Sequence, residues 1–402
     1  MIIGLWVLGY WRLILNICII TSSFPSGPDD FVQAPFVIDF IEGLKIRGHQ
    51  VFIFTQDREE RKEEILKDVR INWFPWIKVR KALVQLNPMN PLDCFRIGNL
   101  LYNGRKALVP FLKENMIDVC LALWVLPNGY FANHAYRRIG TPYSVWALGS
   151  DIYRYGRNPF LYPMMKRIIR EATGVFADGF DLSRKVEEWF KRKCSFLATT
   201  RTILPSPSLG KRGLEGLTNK PYHFLFVGRV EKVKGIDLLL QAASLLIEEG
   251  VHIHLTIVGK GRMEAWAKVF VQQKGLGKRV SMVGNVSDPV LASLYASADC
   301  VVIPSRSESI PLVFSEAVRF DKELIVTDVG DLGMLSRQYG VAWVIPPRDP
   351  FALKETMKKK VESQDNDQMA SHEPEVVHEK REELKRLFNI ETSVERFLAD
   401  YL

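Results

Sequence analysis

Cysteine is scarce in this sequence of 402 residues, and the few copies lie far apart. They are Cys18, Cys94, Cys120, Cys194 and Cys300, an odd number that includes no Cys-x-x-Cys pair. This pattern argues against a disulfide framework and against a cysteine-based zinc site. We therefore predict five small core residues in a reducing compartment.

The short motifs of several enzyme classes are also absent. The sequence contains no H-E-x-x-H, no G-x-S-x-G and no P-loop. A Rossmann oxidoreductase is disfavoured, because no G-x-G-x-x-G follows the first strand-like segment. No cluster of metal ligands stands out, so a metal cofactor is not expected.

Uncharged apolar runs of membrane-spanning length are missing after the N-terminus. Residues 1–20 are strongly apolar, but no basic segment precedes them, and Arg12 and Asn16 interrupt the run. These details argue against a signal peptide and against a spanning helix. We predict a cytoplasmic protein whose residues 1–14 form an extension. That extension is either a membrane-contacting patch or the product of an upstream start codon.

Acidic residues are fewer than basic residues in the first half of the sequence only. Residues 1–200 contain 27 Lys and Arg against 19 Asp and Glu, whereas residues 201–402 contain 27 of each. The contents of 47% hydrophobic and 25% charged residues are typical of a globular protein, and the length suggests two or three domains. The basic excess indicates an anionic partner for the first half.

Basic clusters in the first half lie close to aromatic residues. The clusters are residues 78–81, Arg154 with Arg157, residues 166–170 and residues 191–193, with Trp73, Trp76, Phe160 and Trp189 among or near them. Such a surface suits anionic lipid, although solvated helix faces give the same pattern. No nucleic-acid-binding module is recognisable.

Short apolar runs alternate with longer amphipathic segments, which is typical of βαβ units with a parallel sheet. The pattern restarts after residues 203–221, a segment rich in Pro, Gly and Ser that is typical of a linker. We predict an α/β fold of two doubly wound, Rossmann-like domains that face each other, with the active site in the cleft between them. The predicted boundaries are 1–205, 206–385 and a C-terminal helix at 386–402 that packs back on the first domain.

Unusual residues follow the strand-like segments of the second half. Gly228 and Arg229 end the first of these segments, and Lys234 and Gly235 come shortly afterwards. Glycine lets the backbone approach a ligand closely, and two cations before a helix suit an anion because free amides and the helix dipole favour phosphate. A solvated basic loop would give the same pattern.

Two further turns suit a ligand. Gly259 and Gly261 flank Lys260 between a strand and a helix, which is weak evidence on its own. Asn285 and Val286 follow the next strand, where their backbone could hydrogen-bond the edge of a base.

The strongest signal is a pair of carboxylates, Glu308 and Glu316, around the start of a helix. Carboxylates suit the hydroxyls of ribose and sugar, and the amides at the helix start suit a diphosphate. The residues at that start are Ile310, Pro311, Leu312 and Val313. Pro311 has no N–H to donate, although proline is favourable in a first helical turn. An ordinary helix-dipole carboxylate and a surface glutamate are the alternative interpretation.

Residues 222–345 carry these motifs in an order that resembles the retaining glycosyltransferases of the GT-B fold, family 4 type, or glycosyl transferases group 1. The similar segments include the ADCVVIPS strand at 298–305 and the loop at 329–331. The resemblance implies that Arg229 and Lys234 bind the donor diphosphate, that Glu308 holds the donor sugar and that Glu316 holds the ribose. It also implies an acceptor domain at 1–205 and a donor domain at 206–385.

The first half matches the family less closely. The loop that contains Gly27 resembles the family's loop near the donor phosphates, although the common Gly-Gly pair is absent. Residues 148–152 resemble a His-Gly-x-Asp segment in which Leu148 replaces the histidine that helps to position the sugar. Asp151 remains a candidate carboxylate for acceptor or sugar, and capping of the following turn is the alternative. His49 and His134 are expected to be structural.

The resemblance implies that a UDP-sugar or GDP-sugar is the donor and that a glycan or a lipid-linked molecule is the acceptor. The sugar would be transferred with retention, in the synthesis of cell-surface polysaccharide or glycolipid. No nucleophile is obvious, so catalysis would rest on stabilising the leaving diphosphate without a metal. The expected location is cytoplasmic, with peripheral binding to the inner face of the plasma membrane as an option.

Two other classes remain open from the sequence. One is a non-catalytic protein of the same fold that binds a nucleotide sugar or the membrane, which the missing histidine makes credible. The other is a nucleotide-sugar epimerase. A phosphorylase is less favoured, because no strong site for a pyridoxal lysine is evident.

Overall fold

The computed structural model describes residues 5–7, 10–12, 14–24, 35–57, 68–77, 83, 86–87, 90–203, 220–366 and 375–402. The chain forms two compact units. The first contains Met1–Thr200 together with Ile390–Leu402, and the second contains Arg201–Asn389.

The first unit is built around a parallel sheet. Its elements, in chain order, are β1 (Leu5–Val7), β2 (Tyr10–Arg12), β3 (Asn16–Ile20), α1 (Phe36–Ile46), β4 (Gln50–Gln56), β5 (Arg70–Phe74), α2 (Pro91–Glu114), β6 (Val119–Leu123), α3 (Tyr130–Ile139), β7 (Tyr143–Ala147), α4 (Ser150–Tyr155), α5 (Tyr162–Glu171), β8 (Val175–Ala177), α6 (Phe180–Phe190) and β9 (Ser195–Phe196). Within the described residues the sheet has the order β5-β4-β3-β6-β7-β8-β9, with parallel neighbours throughout. The β1–β2 pair is antiparallel and separate from it.

The central strands of this sheet are buried along almost their whole length, as continuous apolar runs predict. β3 reads NICII, β6 reads VCLAL and β7 reads YSVWA. The strand order reverses between β3 and β6. Ligands of doubly wound sheets bind beyond the carboxyl ends of the strands at such a switch point.

The second unit repeats the architecture with a six-stranded sheet in its described part. Its elements are β10 (Tyr222–Val227), α7 (Ile236–Glu248), β11 (Ile253–Val258), α8 (Glu264–Gln273), β12 (Val280–Gly284), α9 (Asp288–Ser297), β13 (Cys300–Ile303), α10 (Leu312–Arg319), β14 (Glu323–Thr327), α11 (Leu332–Tyr339), β15 (Trp343–Ile345), α12 (Pro350–Asn366) and α13 (Glu375–Leu387). The strand order is β12-β11-β10-β13-β14-β15, all parallel, with the switch point between β10 and β13.

A last helix, α14 (Ile390–Leu398), completes the first unit. Val394 packs against α1 so closely that a Cβ on Gly43 would lie 2.9 Å from its Cγ2 atom. Phe397 is fully buried and its ring lies 5.8 Å from that of Phe40. The sequence predicts one helix at 386–402, whereas the structure has α13 ending in the second unit and α14 beginning in the first.

The predicted pair of Rossmann-like folds is confirmed, and most strands lie where the sequence predicts them. The predicted strands are 17–21, 51–55, 119–124, 143–147, 174–177, 223–227, 252–258, 280–283, 300–304 and 324–327, each within one residue of the observed ends. The sequence misses β1 and β2 of the separate pair, and it misses β5, β9 and β15, which all lie at edges of the two parallel sheets. Gly27, residues 78–81 and residues 204–219 lie outside the described residues. None of the described helices combines the length and the apolar character needed to cross a membrane.

Candidate functional site

The candidate site of the second unit lies in the loops that follow β10, β11, β12 and β13. Gly228 follows β10, and its N–H donates to the carbonyl oxygen of Val258 at 3.0 Å. Gly259 follows β11, and its N–H donates to the carbonyl oxygen of Gly284 at 2.7 Å. These two bonds continue the sheet pairing past the strand ends and hold three of the loops side by side.

Gly259 occupies a position where a side chain does not fit. Its φ is +119°, a conformation that residues with a Cβ rarely adopt. A Cβ there would lie 2.0 Å from the carbonyl oxygen of Gly228. Gly261 is close to the same loop, since its own Cβ would lie 2.4 Å from the carbonyl oxygen of Val230. The three glycines predicted from the sequence therefore lie in two loops that touch through their backbones.

The turn Lys232–Lys234 presents the second predicted cation. It ends at Gly235, whose φ is +75°, and α7 begins directly afterwards. A Cβ on Gly235 would lie 1.9 Å from the carbonyl oxygen of Pro304. The turn thus packs, backbone against backbone, on the loop that follows β13.

Lys234 and Glu308 form the central contact of this site. Nζ of Lys234 lies 2.5 Å from Oε1 of Glu308, and the two side chains are 20% and 10% exposed. Oγ of Ser305 donates to the same Oε1 atom at 2.7 Å. Ser305 is fully buried, and its carbonyl oxygen accepts a 2.6 Å hydrogen bond from Oγ1 of Thr327. A cation and a carboxylate therefore occupy adjacent positions at the carboxyl ends of the strands.

Glu316 lies in the second turn of α10 and is buried. Its Oε2 atom accepts a 2.6 Å hydrogen bond from the hydroxyl of Tyr295. Burial raises the pKa of Glu316, while the bond from Tyr295 and the charge of Arg201 act in the opposite direction. The two carboxylates of the predicted pair thus have different partners and different exposure.

The other predicted residues of the second unit lie outside the contact between Lys234 and Glu308. Arg229 is 58% exposed, and its guanidinium pairs with Glu231 at 3.1 Å instead of with Glu308. Asn285 is exposed and Val286 is half-buried in the turn between β12 and α9. At the start of α10, Ile310 and Val313 are buried, whereas Pro311 and Leu312 are partly exposed.

Asp151 lies in the first unit, in the first turn of α4. It is 2% exposed, and its Oδ2 atom accepts a 2.6 Å hydrogen bond from the N–H of Val125. Burial raises the pKa of Asp151 to about 6, against the pull of several backbone N–H groups. The carboxylate therefore ties the start of α4 to the turn that follows β6.

Asn128 lies in that same turn and is not among the residues predicted from the sequence. It is 2% exposed, and its Nδ2 atom donates to the carbonyl oxygen of Leu123 at 2.6 Å and to Oγ of Ser22 at 3.3 Å. These contacts place it at the carboxyl ends of β3 and β6, the switch point of the first sheet. A Pro-Asn-Gly sequence that begins four residues after the end of the buried strand β6 is the signal that could have indicated it.

The histidines have structural surroundings. Nδ1 of His49 accepts a 3.2 Å hydrogen bond from the N–H of Leu15. His134 lies in α3, where burial lowers its pKa and the charge of Arg105 adds to the effect. Across the described part of the chain, no group of three or more His, Cys, Asp or Glu side chains is placed to hold a metal ion.

Each of the two units matches the model of a known protein family. The model of the glycosyl transferases group 1 matches residues 211–374, and the model of the glycosyl transferase 4-like family matches residues 30–178. The chain belongs to the group 1 glycosyl transferases. Each predicted site residue of the second unit lies in the first match, and Asp151 lies in the second.

A curated relative and solved structures are similar to this chain, in sequence and in fold respectively. Alpha-D-kanosaminyltransferase of Streptomyces kanamyceticus is 23% identical over 261 residues, which is 61% of this chain and 62% of that enzyme. This chain therefore aligns with less than two thirds of that relative's length. Sucrose-phosphate synthase of Thermosynechococcus elongatus has a TM-score of 0.73 at 19% identity, covering 96% of this chain and 98% of that one. HepE of Anabaena, solved in complex with UDP-glucose, has a TM-score of 0.69 at 15% identity, covering 96% and 99%. The chain thus has the GT-B fold.

The residues that hold the predicted ones in place were not predicted from the sequence. Ser305 and Arg306 lie in the loop after β13, Asp237 is the second residue of α7, and Tyr295 lies near the end of α9. Ser305 contacts Glu308 of its own loop and Thr327 of β14, whereas the other three each contact a residue from a different loop or helix. Only Ser305 has a sequence signal, because it ends the ADCVVIPS segment that resembles the family.

Proposed function

We propose that this chain moves a sugar from a nucleotide diphosphate sugar, with UDP or GDP as the nucleotide, to a glycan or lipid-linked acceptor. The observation that supports this best is the contact of Lys234 with Glu308 at the switch point of the second sheet. The two groups match neighbouring parts of such a donor, since a diphosphate attracts a cation and sugar hydroxyls donate to a carboxylate. HepE, which binds UDP-glucose, supports the donor class.

The diphosphate is assigned to the cations and amides of the loops. Lys234 lies closest to the carboxylate, and Arg229 is a second cation whose exposed side chain has room to turn toward an anion. The amides of Ile310, Leu312 and Val313 at the start of α10 add donors, whereas Pro311 adds none. In this proposal Gly27 and the three other loop glycines, Gly228, Gly259 and Gly261, let the backbone approach the nucleotide, and Asn285 with Val286 faces the base.

The hydroxyl groups of the donor are assigned to the two glutamates. Glu308, held at Oε1 by Lys234 and Ser305, accepts from the donor sugar. Glu316, held at Oε2 by Tyr295, accepts from the ribose. Asp151 is proposed as a carboxylate of the acceptor side.

The proposed reaction retains the configuration at the anomeric carbon. The bond between that carbon and the phosphate oxygen breaks, and the acceptor oxygen bonds to the carbon on the same face. The proton of the acceptor hydroxyl passes to the departing phosphate, so no protein base is needed. Lys234 and Arg229 stabilise the negative charge that develops on the diphosphate, which is the role a metal would otherwise have.

The first unit is proposed to bind an anionic acceptor or membrane surface. Phe160 is 90% exposed beside the exposed cations Arg154 and Arg157, and the guanidinium of Arg157 lies 4.5 Å from the ring centre of Trp189. Exposed aromatic rings with cations suit a lipid interface that carries negative charge. A lipid-linked acceptor in polysaccharide or glycolipid synthesis would be reached from such a surface. Binding to vesicles with 30% anionic lipid tests this part, and unchanged binding by Phe160→Ala with Arg157→Ala would contradict it.

A donor panel tests the transferase proposal. The purified protein is mixed with UDP- and GDP-sugars, and nucleotide release is measured with and without candidate acceptors. We expect release from one donor class, and we expect Arg229→Ala and Lys234→Ala to lower kcat about 100-fold. Lys274→Ala is the matched control, because it removes a cation that pairs with Glu248 on the surface of the same unit. Near-normal turnover in both site variants would contradict the assignment.

A binding protein without turnover is the second candidate. The observation that favours it is Leu148, which stands where related transferases have a histidine that positions the sugar. Binding of UDP-glucose without release of UDP, with every acceptor offered, would favour this candidate. A product in which one stereocentre of the sugar is inverted, with the nucleotide still attached, would indicate an epimerase.

A further inference from the structure

Arg306 forms a two-pronged ion pair that the proposed chemistry does not use directly. It lies two residues before Glu308, in the loop that follows β13. Its Nη1 atom lies 2.7 Å from Oδ1 of Asp237, and its Nη2 atom lies 2.8 Å from Oδ2 of the same residue. The side chains are 17% and 14% exposed, so water screens the pair only weakly. A guanidinium that donates two parallel bonds to a carboxylate fixes orientation as well as distance.

The same arginine also holds the turn that carries Lys234. Its Nη1 atom donates to the carbonyl oxygen of Lys232 at 2.5 Å. Its backbone N–H donates to the carbonyl oxygen of Val233 at 2.8 Å. Asp237 lies in the first turn of α7, directly after this turn. Arg306 therefore holds the Lys232–Lys234 turn through its backbone N–H and through Nη1, while both of its terminal nitrogens hold Asp237 at the start of α7.

A residue next to Arg306 in the chain contacts the same carboxylate oxygen as Lys234. Ser305 precedes Arg306 and donates to Oε1 of Glu308, the atom that Lys234 also contacts. A shift of the turn relative to the β13 loop would separate Nζ of Lys234 from Oε1 of Glu308. The flexible four-carbon stem of lysine does not fix that distance by itself.

We propose that Arg306 and Asp237 are positioning residues that hold the Lys234 ammonium beside the Glu308 carboxylate. The inference rests on the proposed function, in which Lys234 meets the diphosphate and Glu308 the donor sugar. Charge on the leaving diphosphate grows in the transition state, so a displaced ammonium loses more there than in donor binding. The arginine and the aspartate therefore act on kcat through Lys234 and leave the KM for the donor nearly unchanged.

Arg306→Lys is the primary test, because it keeps the positive charge and removes the two-pronged geometry. We expect kcat for nucleotide release to fall about tenfold or more, since small misplacements of catalytic groups have large effects on rate. The KM for the donor chosen by the panel should change less than about threefold. Asp237→Asn, which is nearly isosteric, is the second variant and should show the same split.

Arg337→Lys is the matched control. Arg337 pairs with Asp328 through both of its terminal nitrogens in the same unit, but it does not touch the Lys234 turn. This variant should keep kcat within about twofold of the unmodified protein. An equal loss of kcat in Arg306→Lys and Arg337→Lys would overturn the proposal, because it would show a general effect of weakened ion pairs.

A double-variant cycle separates this inference from the proposed function. If Arg306 acts through Lys234, Arg306→Lys should lower kcat little further in a Lys234→Ala background, because effects of coupled residues are not additive. Additive losses would overturn the inference alone. Normal turnover in Lys234→Ala would overturn the role of Lys234 and the inference together.

A crystal structure of Arg306→Lys gives a readout that does not depend on activity. We expect Nζ of Lys234 and Oε1 of Glu308, 2.5 Å apart in the unmodified protein, to separate beyond hydrogen-bond distance. An unchanged contact would overturn the proposal.

Discussion

The hydroxyl of Tyr295 donates a 2.6 Å hydrogen bond to Oε2 of Glu316, inside the second unit, where both residues are buried. Tyr295 comes from α9 and Glu316 from α10. Burial raises the pKa of both groups, so the bond keeps a carboxylate available where the surroundings favour the neutral acid. It also leaves Oε1 as the oxygen of Glu316 for the proposed contact with the ribose.

Tyr295→Phe should weaken donor binding, because it removes that hydroxyl and keeps the ring that stacks on Phe320. A bond to a charged group contributes about 1.5–3 kcal/mol, so the KM for the donor should rise about tenfold or more. The pKa of Glu316 should rise further, and tight binding should therefore require a higher pH than in the unmodified protein. Donor titrations across pH check this, and an unchanged pH profile would contradict the role of the pair.

Gly259→Ala should disrupt the loops that we propose to bind the nucleotide. The new Cβ would face the Gly228 carbonyl oxygen at 2.0 Å, and the φ of +119° adds strain. The two effects should lower the free energy of unfolding of the second unit by about 2 kcal/mol or more. Calorimetry with UDP should also show weaker binding. Gly277→Ala is the control, because its Cβ would meet open space and its φ is not positive. Equal behaviour of the two variants would show that the loop contact is unimportant.

Asp151→Asn should change how stability depends on pH. The folded-state pKa of about 6 lies above the ordinary value of 3.8, so between these limits the folded state binds more protons and stability falls as pH rises. Asparagine does not titrate. The free energy of unfolding of the variant minus that of the unmodified protein should therefore increase by up to about 3 kcal/mol from pH 4 to pH 7. Urea unfolding at several pH values measures this, with the exposed Glu188→Gln as control. Parallel curves would show that the ionisation of Asp151 does not differ between the folded and unfolded states.

Phe397→Ala should destabilise the first unit although it lies in the last helix of the chain. Its ring is fully buried near Phe40 and Phe176, with ring centres 5.8 Å and 6.3 Å away. Large-to-small changes of this kind in a core lower the free energy of unfolding by about 3–5 kcal/mol. Hydrogen exchange of β7 and β8 should therefore speed up, while exchange in the second unit should not. Phe351→Ala, at a side chain that is 66% exposed, is the control. Faster exchange in the second unit alone would contradict the prediction.

The central strands could be predicted from sequence because their burial leaves a continuous apolar run. The missed strands of the two parallel sheets lie at the edges, where that signal fades. β5 reads RINWF and buries only Phe74 fully, and β9 has two residues. Edge strands pair on one side only, so their residues need not be apolar along the whole length.

The site could be predicted only as far as each loop carries its own signal. Gly228, Gly259 and Glu308 stand out because of where they follow a strand. Arg306 looks like any loop arginine in sequence, and its partner Asp237 is 69 residues away along the chain. Tyr295 likewise looks like a core tyrosine until α10 is seen beside α9. Roles of this kind depend on which loops meet in space, and one sequence does not contain that information.

Because α14 belongs to the first unit, that unit is completed only after the second unit has been synthesised. On the ribosome, residues 390–402 are synthesised after the whole second unit, so the surface of α1 around Phe40 and Gly43 lacks the cover of α14 until then. A fragment that stops at Thr200 would keep that apolar surface open. A separately expressed first unit therefore needs residues 390–402 supplied in another way, for example through a short designed linker after Thr200.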